Sequence, residues 1–173
     1  MSKAFTKESD GEFEEALPEP SDPLPPGVKN YVTPEGAEKL RDELRRWLEV
    51  IRPKAAEAKG KPGEPASRRR RLEAIDRRIH FLQDRVASMV VVRATEPDEL
   101  CVRFGASVTV RDRDGNEKSY RIVGVDESDP AAGRVSFLSP IAKALISAGV
   151  GDVVSLKLPD GETELEVLGI VYR

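Results

Sequence analysis

The stretch that decides the fold is residues 33–92, TPEGAEKLRDELRRWLEVIRPKAAEAKGKPGEPASRRRRLEAIDRRIHFLQDRVASMVVV. Apolar residues recur there at steps of three and four, first at Ala37, Leu40, Leu44, Trp47/Leu48, Ile51, Ala55 and Ala58, then at Leu72, Ile75, Ile79, Leu82, Val86 and Met89. This spacing gives each half one apolar seam that faces a partner helix. The glycines and prolines of residues 60–65 cannot continue a helix. The stretch therefore predicts an antiparallel coiled-coil hairpin over residues 31–93.

The first helix has a clear start signal. Thr33 is suited to the N-cap and Pro34 to the first helical position, and Glu35 places a negative charge in the first turn. Pro53 lies inside the first arm and predicts a kink or a local loosening of the helix, because proline has no backbone N–H to donate.

The second helix is predicted to start near Pro65-Ala66-Ser67, directly before four consecutive arginines, which we call the arginine cluster: Arg68, Arg69, Arg70 and Arg71. Cations in the first turn of a helix oppose its dipole, and each destabilises the helix by about a few tenths of a kcal/mol. Local stability does not call for them, so the placement favours a binding role over a merely solvated charge run.

Charge and proline divide the rest of the chain. Residues 1–30 hold five prolines and three Lys/Arg against seven Asp/Glu, a net charge of −4, which is typical of a disordered tail. Residues 31–93 carry sixteen against ten, a net of +6. Residues 94–173 carry nine against fourteen, a net of −5. A basic rod between acidic segments indicates a polyanionic or acidic partner.

After residue 92 the apolar period changes to two. Strands are predicted around Val102–Val110, Tyr120–Val125, Val135–Phe137, 153–158 and 163–171, with one helix that starts at Ser139-Pro140 and ends at Gly149. Residues 94–173 are thus expected to form a small antiparallel β domain with one covering helix, and the whole chain is of the α+β class.

Few enzyme classes fit this composition. The chain has one cysteine, Cys101, and one histidine, His80, so multi-cysteine zinc sites and Ser-His-Asp chemistry lack members. No nucleophile and base pair, metal cluster or cofactor motif emerges, and we expect a non-enzymatic protein without a cofactor. The N-terminus has no signal-peptide h-region and no run is long enough to span a membrane, which favours a cytoplasmic protein with no membrane partner.

Several short stretches have a recognisable order: YVTPEG at 31–36, RLEAIDRRI at 71–79, FGA at 104–106, IVGVDE at 122–127, SPIAKAL at 139–145 and VGD at 150–152. Together with the order of the predicted parts, they resemble the Gre family of bacterial transcription elongation factors. The Arg52-Pro53 and Ile75-Asp76-Arg77-Arg78 elements are most like its GreB branch. The resemblance covers residues 31–173 almost continuously. It implies an FKBP-like fold for the C-terminal domain.

The same resemblance implies a partner and a mechanism. Gre factors bind RNA polymerase through the C-terminal domain and insert the hairpin into the secondary channel, where acidic residues at its tip help to hold the second Mg²⁺ for transcript cleavage. Asp126, Glu127, Ser139 and Pro140 match the family's C-terminal motifs and are implied to dock on the polymerase. The arginine cluster would contact RNA or the channel wall.

The hairpin tip departs from the family pattern. Residues 53–72 are shorter than the family norm by about two helical turns, and residues 59–65, KGKPGEP, replace the acidic motif. Glu64 is the only carboxylate there and is a weak catalytic candidate, since two lysines beside it repel Mg²⁺. We expect a factor that modulates transcription without stimulating cleavage.

Three alternatives stay open. The protein could be a cleavage-stimulating factor that uses Glu64, or a Rnk-like regulator with a short hairpin and no tip acids. It could also be an FKBP-type prolyl isomerase or chaperone, although Phe104, Tyr120, Phe137 and Tyr172 are few and scattered for such a pocket. The oligomeric state is open, because a short coiled coil can also pair between chains.

Overall fold

The structure, a computed structural model, describes residues 24–57, 65–93, 101–158 and 161–172. The N-terminal part consists of strand β1, helices α1, α2 and α3, and strand β2, with these bounds: β1 Asn30–Val32, α1 Pro34–Arg46, α2 Arg52–Glu57, α3 Pro65–Ser88 and β2 Met89–Val91. Across the described ranges, no helix is both long and apolar enough to cross a lipid bilayer.

The start of α1 is as the sequence predicts. Thr33 is its N-cap in extended backbone, and its hydroxyl accepts a hydrogen bond from the Gly36 N–H at 3.0 Å. Pro34 occupies the first helical position. The cap satisfies one of the N–H groups that the first turn of any helix leaves unpaired.

The predicted loosening of the helix near Pro53 takes the form of a π-helical turn, Trp47–Ile51, between α1 and α2. Pro53 has no N–H to donate to the carbonyl of Glu49, four residues earlier. The chain widens just before it, and the Arg52 N–H bonds to the carbonyl of Trp47, five residues back. The turn buries Trp47 and leaves Leu48 40% exposed, so Trp47 is the seam residue of the predicted Trp47/Leu48 pair.

The two arms run antiparallel. Arg78 of α3 bonds to Glu43 of α1 at 2.7 Å, whereas Arg68, nearer the start of α3, bonds to the carbonyl of Ala56 in α2. Residues later in the first arm therefore contact residues earlier in the second arm, as in an antiparallel pair. Seam residues and Val32 of β1 form one core: Val32, Ala37, Leu40, Trp47, Ala55, Ile75, Ile79 and Leu82, flanked by Leu44, Ile51, Leu72, Val86 and Met89. Ala58 lies outside the described residues.

The base of the hairpin holds a strand pair that the sequence did not indicate. β1 and β2 pair in parallel, with Tyr31 opposite Val90, and the Val92 N–H continues the ladder to the Val32 carbonyl. Asn30 is therefore in a strand and only 3% exposed, which corrects the boundary of the predicted tail. Residues 1–23 of that tail lie outside the described residues.

The C-terminal part is a five-stranded sheet in the order β5-β4-β3-β7-β6. Its elements are β3 Ser107–Asp112, β4 Glu117–Val123, β5 Arg134–Ser136, α4 Pro140–Leu145, β6 Val153–Leu158 and β7 Gly161–Val171, with short 3-10 helices at Val125–Glu127 and Pro130–Ala132. The prediction of an all-antiparallel sheet is wrong at one edge, because β5 pairs with β4 in parallel. The loop and 3-10 turns between them return the chain to Arg121, in the second half of β4, where β5 begins opposite it.

Several boundaries differ from the sequence prediction; β4, for example, spans Glu117–Val123, and β7 starts at Gly161. β3 starts at Ser107, so Val102 and Phe104 precede the strand, although Val102 is fully buried. The register shift of the sheet lies between Thr109 and Val110 rather than at Gly105. Helix α4 ends at Leu145 rather than at Gly149, and Ser147 just after it takes a left-handed backbone with φ 75°.

Helix α4 covers the sheet, as predicted. Ala142 and Leu145 of this helix are fully buried, and they join one core with apolar residues of β3, β4, β6 and β7: Val108, Val110, Ile122, Leu156, Leu165, Val167 and Ile170. The molecule thus has two cores, one between the arms and one under α4.

Candidate functional site

The arginine cluster lies in the first two turns of α3, at the distal end of the hairpin. Arg68, Arg69, Arg70 and Arg71 are all exposed. The Arg68 guanidinium donates to the Ala56 carbonyl and so caps the C-terminal end of α2. Arg69 lies 3.4 Å from Glu73, one turn along the same helix. One arginine thus has a clear role in the fold, and the cluster as a whole presents positive charge to solvent.

The weak catalytic candidate Glu64 lies outside the described residues, as do the other residues of the apex at 58–63. Among the described residues, no group of three histidine, cysteine or acidic side chains could hold a metal ion. Asp76, further along α3, is bonded to Arg52 at 2.7 Å, and that bond raises the pKa of the Arg52 guanidinium.

Glu127, a predicted docking residue, joins the two parts of the molecule. One carboxylate oxygen accepts from the Thr33 N–H at 2.9 Å and from the Gly124 N–H at 3.0 Å, and the other accepts from the Thr33 hydroxyl. Thr33 is also the N-cap of α1, so the carboxylate fixes the first turn of the hairpin to the C-terminal part. A carboxylate near a helix N-terminus is favoured by the helix dipole.

Asp126, the neighbouring docking candidate, is also turned inward. Its carboxylate lies 3.3 Å from the guanidinium of Arg85 in α3, and the two side chains are 4% and 7% exposed. The ring of Phe81 lies against the Arg85 guanidinium at 5.0 Å and against that of Arg78 at 5.2 Å. A buried charge of each sign therefore holds α3 to the C-terminal part.

A groove of about 370 Å³ runs along this junction, between α1 and the segment after β4. Arg121 and Glu35 bridge it at 2.7 Å, and the hydrogen bond from Arg121 lowers the pKa of the Glu35 carboxyl. Arg134 and Asp129 form a second pair on its wall at 2.8 Å. Because these four charged side chains are paired across or along the wall, we interpret the groove as a junction between the two parts of the molecule.

Aromatic residues meet beside the same junction. Phe104 and Phe137 lie 5.9 Å apart, and the ring of Tyr31 from β1 packs on them at 6.1 and 5.7 Å. The sequence suggests that Phe104 and Phe137 are scattered, but the fold brings them together. Tyr172 is used elsewhere, since its hydroxyl accepts from the Arg103 N–H and donates to the Cys101 carbonyl.

Ser139 and Pro140 start helix α4. The Ser139 hydroxyl accepts from the Ala142 N–H at 3.2 Å, as an N-cap does, and Pro140 is exposed. Of the four residues predicted to dock on the polymerase, Asp126 and Glu127 are thus engaged within the chain, Ser139 caps a helix and Pro140 faces solvent. Whether these positions dock stays a prediction.

Comparison with known proteins covers most of the chain. Residues 97–172 match the family model described as "Transcription elongation factor, GreA/GreB, C-term". Transcription elongation factor GreB of Neisseria meningitidis is 38% identical over 159 residues, which cover 84% of this chain and 95% of that protein. The chain belongs to the GreA/GreB family. The likeness to the GreB branch that the sequence motifs suggest is thereby confirmed.

Relatives named GreA and relatives named GreB both match this Gre-family chain. Transcription elongation factor GreA of Brucella anthropi is 37% identical over 151 residues, 82% of this chain and 96% of that protein. Among solved structures, GreA factor homolog 1 (Gfh1) of Thermus thermophilus is 25% identical, covers 83% of this chain and 99% of its own, and gives a TM-score of 0.39.

The contacts that sequence reasoning missed in this Gre-family chain are Arg85 with Asp126, Glu127 with Thr33, and Arg121 with Glu35. Each joins residues far apart in the chain, for example 94 positions between Thr33 and Glu127. The one signal in the sequence was the N-cap at Thr33, which marks the helix start but not the carboxylate that completes it.

Proposed function

We propose that this Gre-family protein is a cytoplasmic transcription elongation factor that binds bacterial RNA polymerase at the secondary channel and modulates transcription without stimulating transcript cleavage. In its finer details, the proposal takes the antiparallel arms as a coiled coil and the C-terminal sheet with α4 as an FKBP-like domain. The family membership and the names of the relatives support the general role.

The observation that carries the proposal is the charge at the distal end of the hairpin. The apex sequence KGKPGEP has one carboxylate, Glu64, between cations, and the described start of α3 exposes the arginine cluster. Cleavage by two metal ions needs oxygen ligands that hold the second ion, and a locally positive surface repels it. The protein is accordingly proposed to be neither an enzyme nor a metal carrier in its own right.

The arginine cluster supplies a positive surface in the place where the family pattern has acids. Arginine binds phosphate and carboxylate through paired N–H donors, so it suits nascent RNA or an acidic channel wall. Each arm of the described hairpin, such as the 24 residues of α3, is about 36 Å long. That length supports insertion into a channel, with the cluster leading.

Contacts at the junction give two of the predicted docking residues a role within the chain. The carboxylates of Asp126 and Glu127 face Arg85 and Thr33, so we infer that they set the angle between the hairpin and the C-terminal part. Pro140, which is exposed, is the member of the set that can touch the polymerase directly. Ser139 presents it by capping α4.

A reconstituted, backtracked elongation complex with labelled RNA tests the proposal. The full chain should co-purify with core polymerase, leave the RNA uncut and suppress cleavage by an added GreB such as that of Neisseria meningitidis. Failure to co-purify at moderate salt contradicts polymerase binding. RNA cutting that Glu64→Ala abolishes would establish the cleavage-stimulating alternative instead.

Competition also tests the role of the arginine cluster. The double variant Arg69→Gln, Arg70→Gln should need roughly tenfold more protein to suppress GreB, because it loses two positive charges at the leading end. The matched control is Arg41→Gln, Arg46→Gln, which removes two exposed arginines from α1 nearer the base. Equal losses in both variants would show that only total charge matters.

A further inference from the structure

Strand β6 forms one edge of the five-stranded sheet and, within the described chain, pairs with β7 alone. Natural edge strands are usually short, or carry a proline, a bulge or charged side chains that prevent a further strand from pairing with them. The opposite edge, β5, has three residues, and Arg134 at its start is bridged by Asp129. β6 has six residues, an unbroken register with β7, one charged residue, Lys157, and no proline. Its edge is thus the less protected of the two.

A bulge just before β6 decides which of its backbone groups bond to β7. Gly151 has a left-handed backbone with φ 90°, and its N–H donates to the Val167 carbonyl at 2.8 Å. The Val167 N–H donates in turn to the Asp152 carbonyl at 2.8 Å. This is a β-bulge with glycine in its first position, and beyond it the hydrogen-bonded pairs of an antiparallel ladder recur at every second residue.

The backbone of β6 therefore alternates between its two sides. The even-numbered residues exchange hydrogen bonds with β7, as Asp152 does. The odd-numbered residues direct their N–H and C=O groups to the free edge: Val153, Ser155 and Lys157. Three residues of one strand thus present backbone donors and acceptors on the side away from β7.

The two faces of the sheet beside this edge differ in chemistry. Val154 and Leu156 pack with the core under α4. Val153, which is 61% exposed, and Ser155, which is also exposed, lie on the other face. Residues directly opposite each other in a ladder share a face, so three glutamates of β7 lie on that same open face: Glu162, Glu164 and Glu166. A row of carboxylates thus runs one strand in from the free edge.

Two arginines contact this row from the far side of β7. Arg113 lies 2.8 Å from Glu164, and Arg111 of β3 lies 3.6 Å from Glu166. Both glutamate side chains remain 44% exposed. Because a carboxylate has about four acceptor sites, a cation that comes from the β6 side can bond to it as well. The net charge of −5 on residues 94–173 favours a basic partner over an acidic one.

We propose that the free edge of β6 binds an extended segment of a partner protein in which basic residues alternate with apolar ones. The segment pairs antiparallel with β6 through the outward backbone groups. Its basic side chains cross Val153 and Ser155, since strands are about 4.8 Å apart and a lysine spans the one strand between it and the glutamates. Its apolar side chains lie on the other face, beside the half-buried Val154.

Two peptides of opposite charge test this surface in the full chain, without polymerase. In the antiparallel register, the peptide VTVKVKV places lysines opposite Val153 and Ser155 and threonine opposite Lys157. Measured by fluorescence anisotropy at low salt, it should bind about tenfold more tightly than VTVEVEV, because the second peptide brings carboxylates beside those of β7. Equal binding of the two peptides, tighter binding of VTVEVEV, or no binding of VTVKVKV would overturn the proposal.

Backbone methylation tests whether the peptide adds as a strand. VTVKVKV methylated on the backbone nitrogens of both lysines should bind about tenfold more weakly, because those nitrogens no longer donate to β6. Hydrogen exchange locates the site: the amides of Val153 and Ser155 should exchange about tenfold more slowly when the unmethylated peptide is bound. Unchanged affinity after methylation, or slower exchange only in the hairpin arms, would contradict strand addition.

A charge variant of the protein tests the row of glutamates. Glu164→Gln, Glu166→Gln should weaken binding of VTVKVKV about fivefold. The matched control, Asp114→Asn, Glu117→Gln, makes the same charge change at exposed positions of the β3–β4 hairpin. Equal weakening in both variants would show that only the total charge of the domain matters and would overturn the site.

A proline at the edge tests the backbone of β6. Ser155→Pro removes an N–H that β7 does not use and should weaken VTVKVKV about tenfold. Circular dichroism checks that the variant folds, and the charge variant supplies the test if it does not. Full affinity in folded Ser155→Pro would overturn the proposal. Because none of these assays contains polymerase, their outcomes are separate from failure of the proposed function.

Discussion

The base and the distal end of the hairpin both pair an arginine with an acidic residue, but the two pairs have different roles. At the base, Arg85 and Asp126 are 7% and 4% exposed and connect α3 to the C-terminal part. At the distal end, Arg69 and Glu73 are 79% and 55% exposed and belong to one helix. The comparison teaches that burial, rather than residue type, decides whether a charge holds the fold together or remains available to a partner.

The energetics follow the same division. Removing one partner of a buried ion pair leaves the other charge buried away from water, which lowers the free energy of unfolding by about 3–5 kcal/mol. An exposed pair contributes about 0–1 kcal/mol, because water and salt screen it. Variants of matched chemistry at the two ends can therefore break or sharpen the comparison.

The largest effect is expected for Asp126→Ala. Loss of the carboxylate removes the buried ion pair with Arg85, and the free energy of unfolding should fall by about 3 kcal/mol or more. Trp47 is the only tryptophan and lies in the hairpin core, so its fluorescence during urea unfolding reports on the arms.

The matched control for that variant is Glu73→Ala, which removes the carboxylate beside Arg69 at the distal end. It should change stability by less than about 1 kcal/mol. If the two variants lose equal stability, the division between a structural base and an available distal end is wrong.

A steric variant at the base should have the next largest effect. A Cβ at Gly124 would lie 2.4 Å from the Tyr31 carbonyl and 2.8 Å from a carboxylate oxygen of Glu127. Since the nearest atom is backbone, Gly124→Ala should push β1 away from the C-terminal part and cost about 1–3 kcal/mol. Urea unfolding followed by circular dichroism measures the loss.

Gly169→Ala is the control for the glycine variant. A Cβ there meets nothing within 4 Å, so the change should leave stability within about 0.5 kcal/mol of the natural chain. A loss at Gly169 as large as that at Gly124 would mean that close approach at the junction is not the cause.

The smallest effect is expected for Glu35→Gln, which breaks the exposed bridge to Arg121. The hydrogen bond from Arg121 lowers the pKa of Glu35 in the folded chain, so the bridge stabilises the fold above the unfolded pKa and is lost as pH falls through the lower folded value. The variant should lose about 0.5 kcal/mol at pH 7 and nothing at pH 2. Thermal unfolding at both pH values, with Glu38→Gln as the control on the same helix, measures the difference.

Features set by neighbouring residues could be predicted from the sequence. The N-cap at Thr33, the two apolar seams and the cap at Ser139 all depend on residues within a few positions of one another, and each is present in the structure. The loosening of the helix before Pro53 was predictable for the same reason, although its π-helical form was not.

Features that need distant residues could not be predicted. The parallel pairing of β1 with β2 joins Tyr31 to Val90, and three-residue strands have too little pattern to indicate a partner. The direction of β5 depends on the path of two short 3-10 turns. The inward orientation of Asp126 follows from the position of Arg85, which the helical period marks only as a polar neighbour of the seam.

The strand pair β1/β2 has a consequence for how such a protein can change over time. It closes the hairpin at the base through backbone bonds that do not involve the apex. Residues at the apex can then be substituted, with acids replaced by lysines or the length altered, while the base of the hairpin and its attachment to the C-terminal part stay the same. A change of chemistry at the apex therefore requires no change in the strand pair at the base.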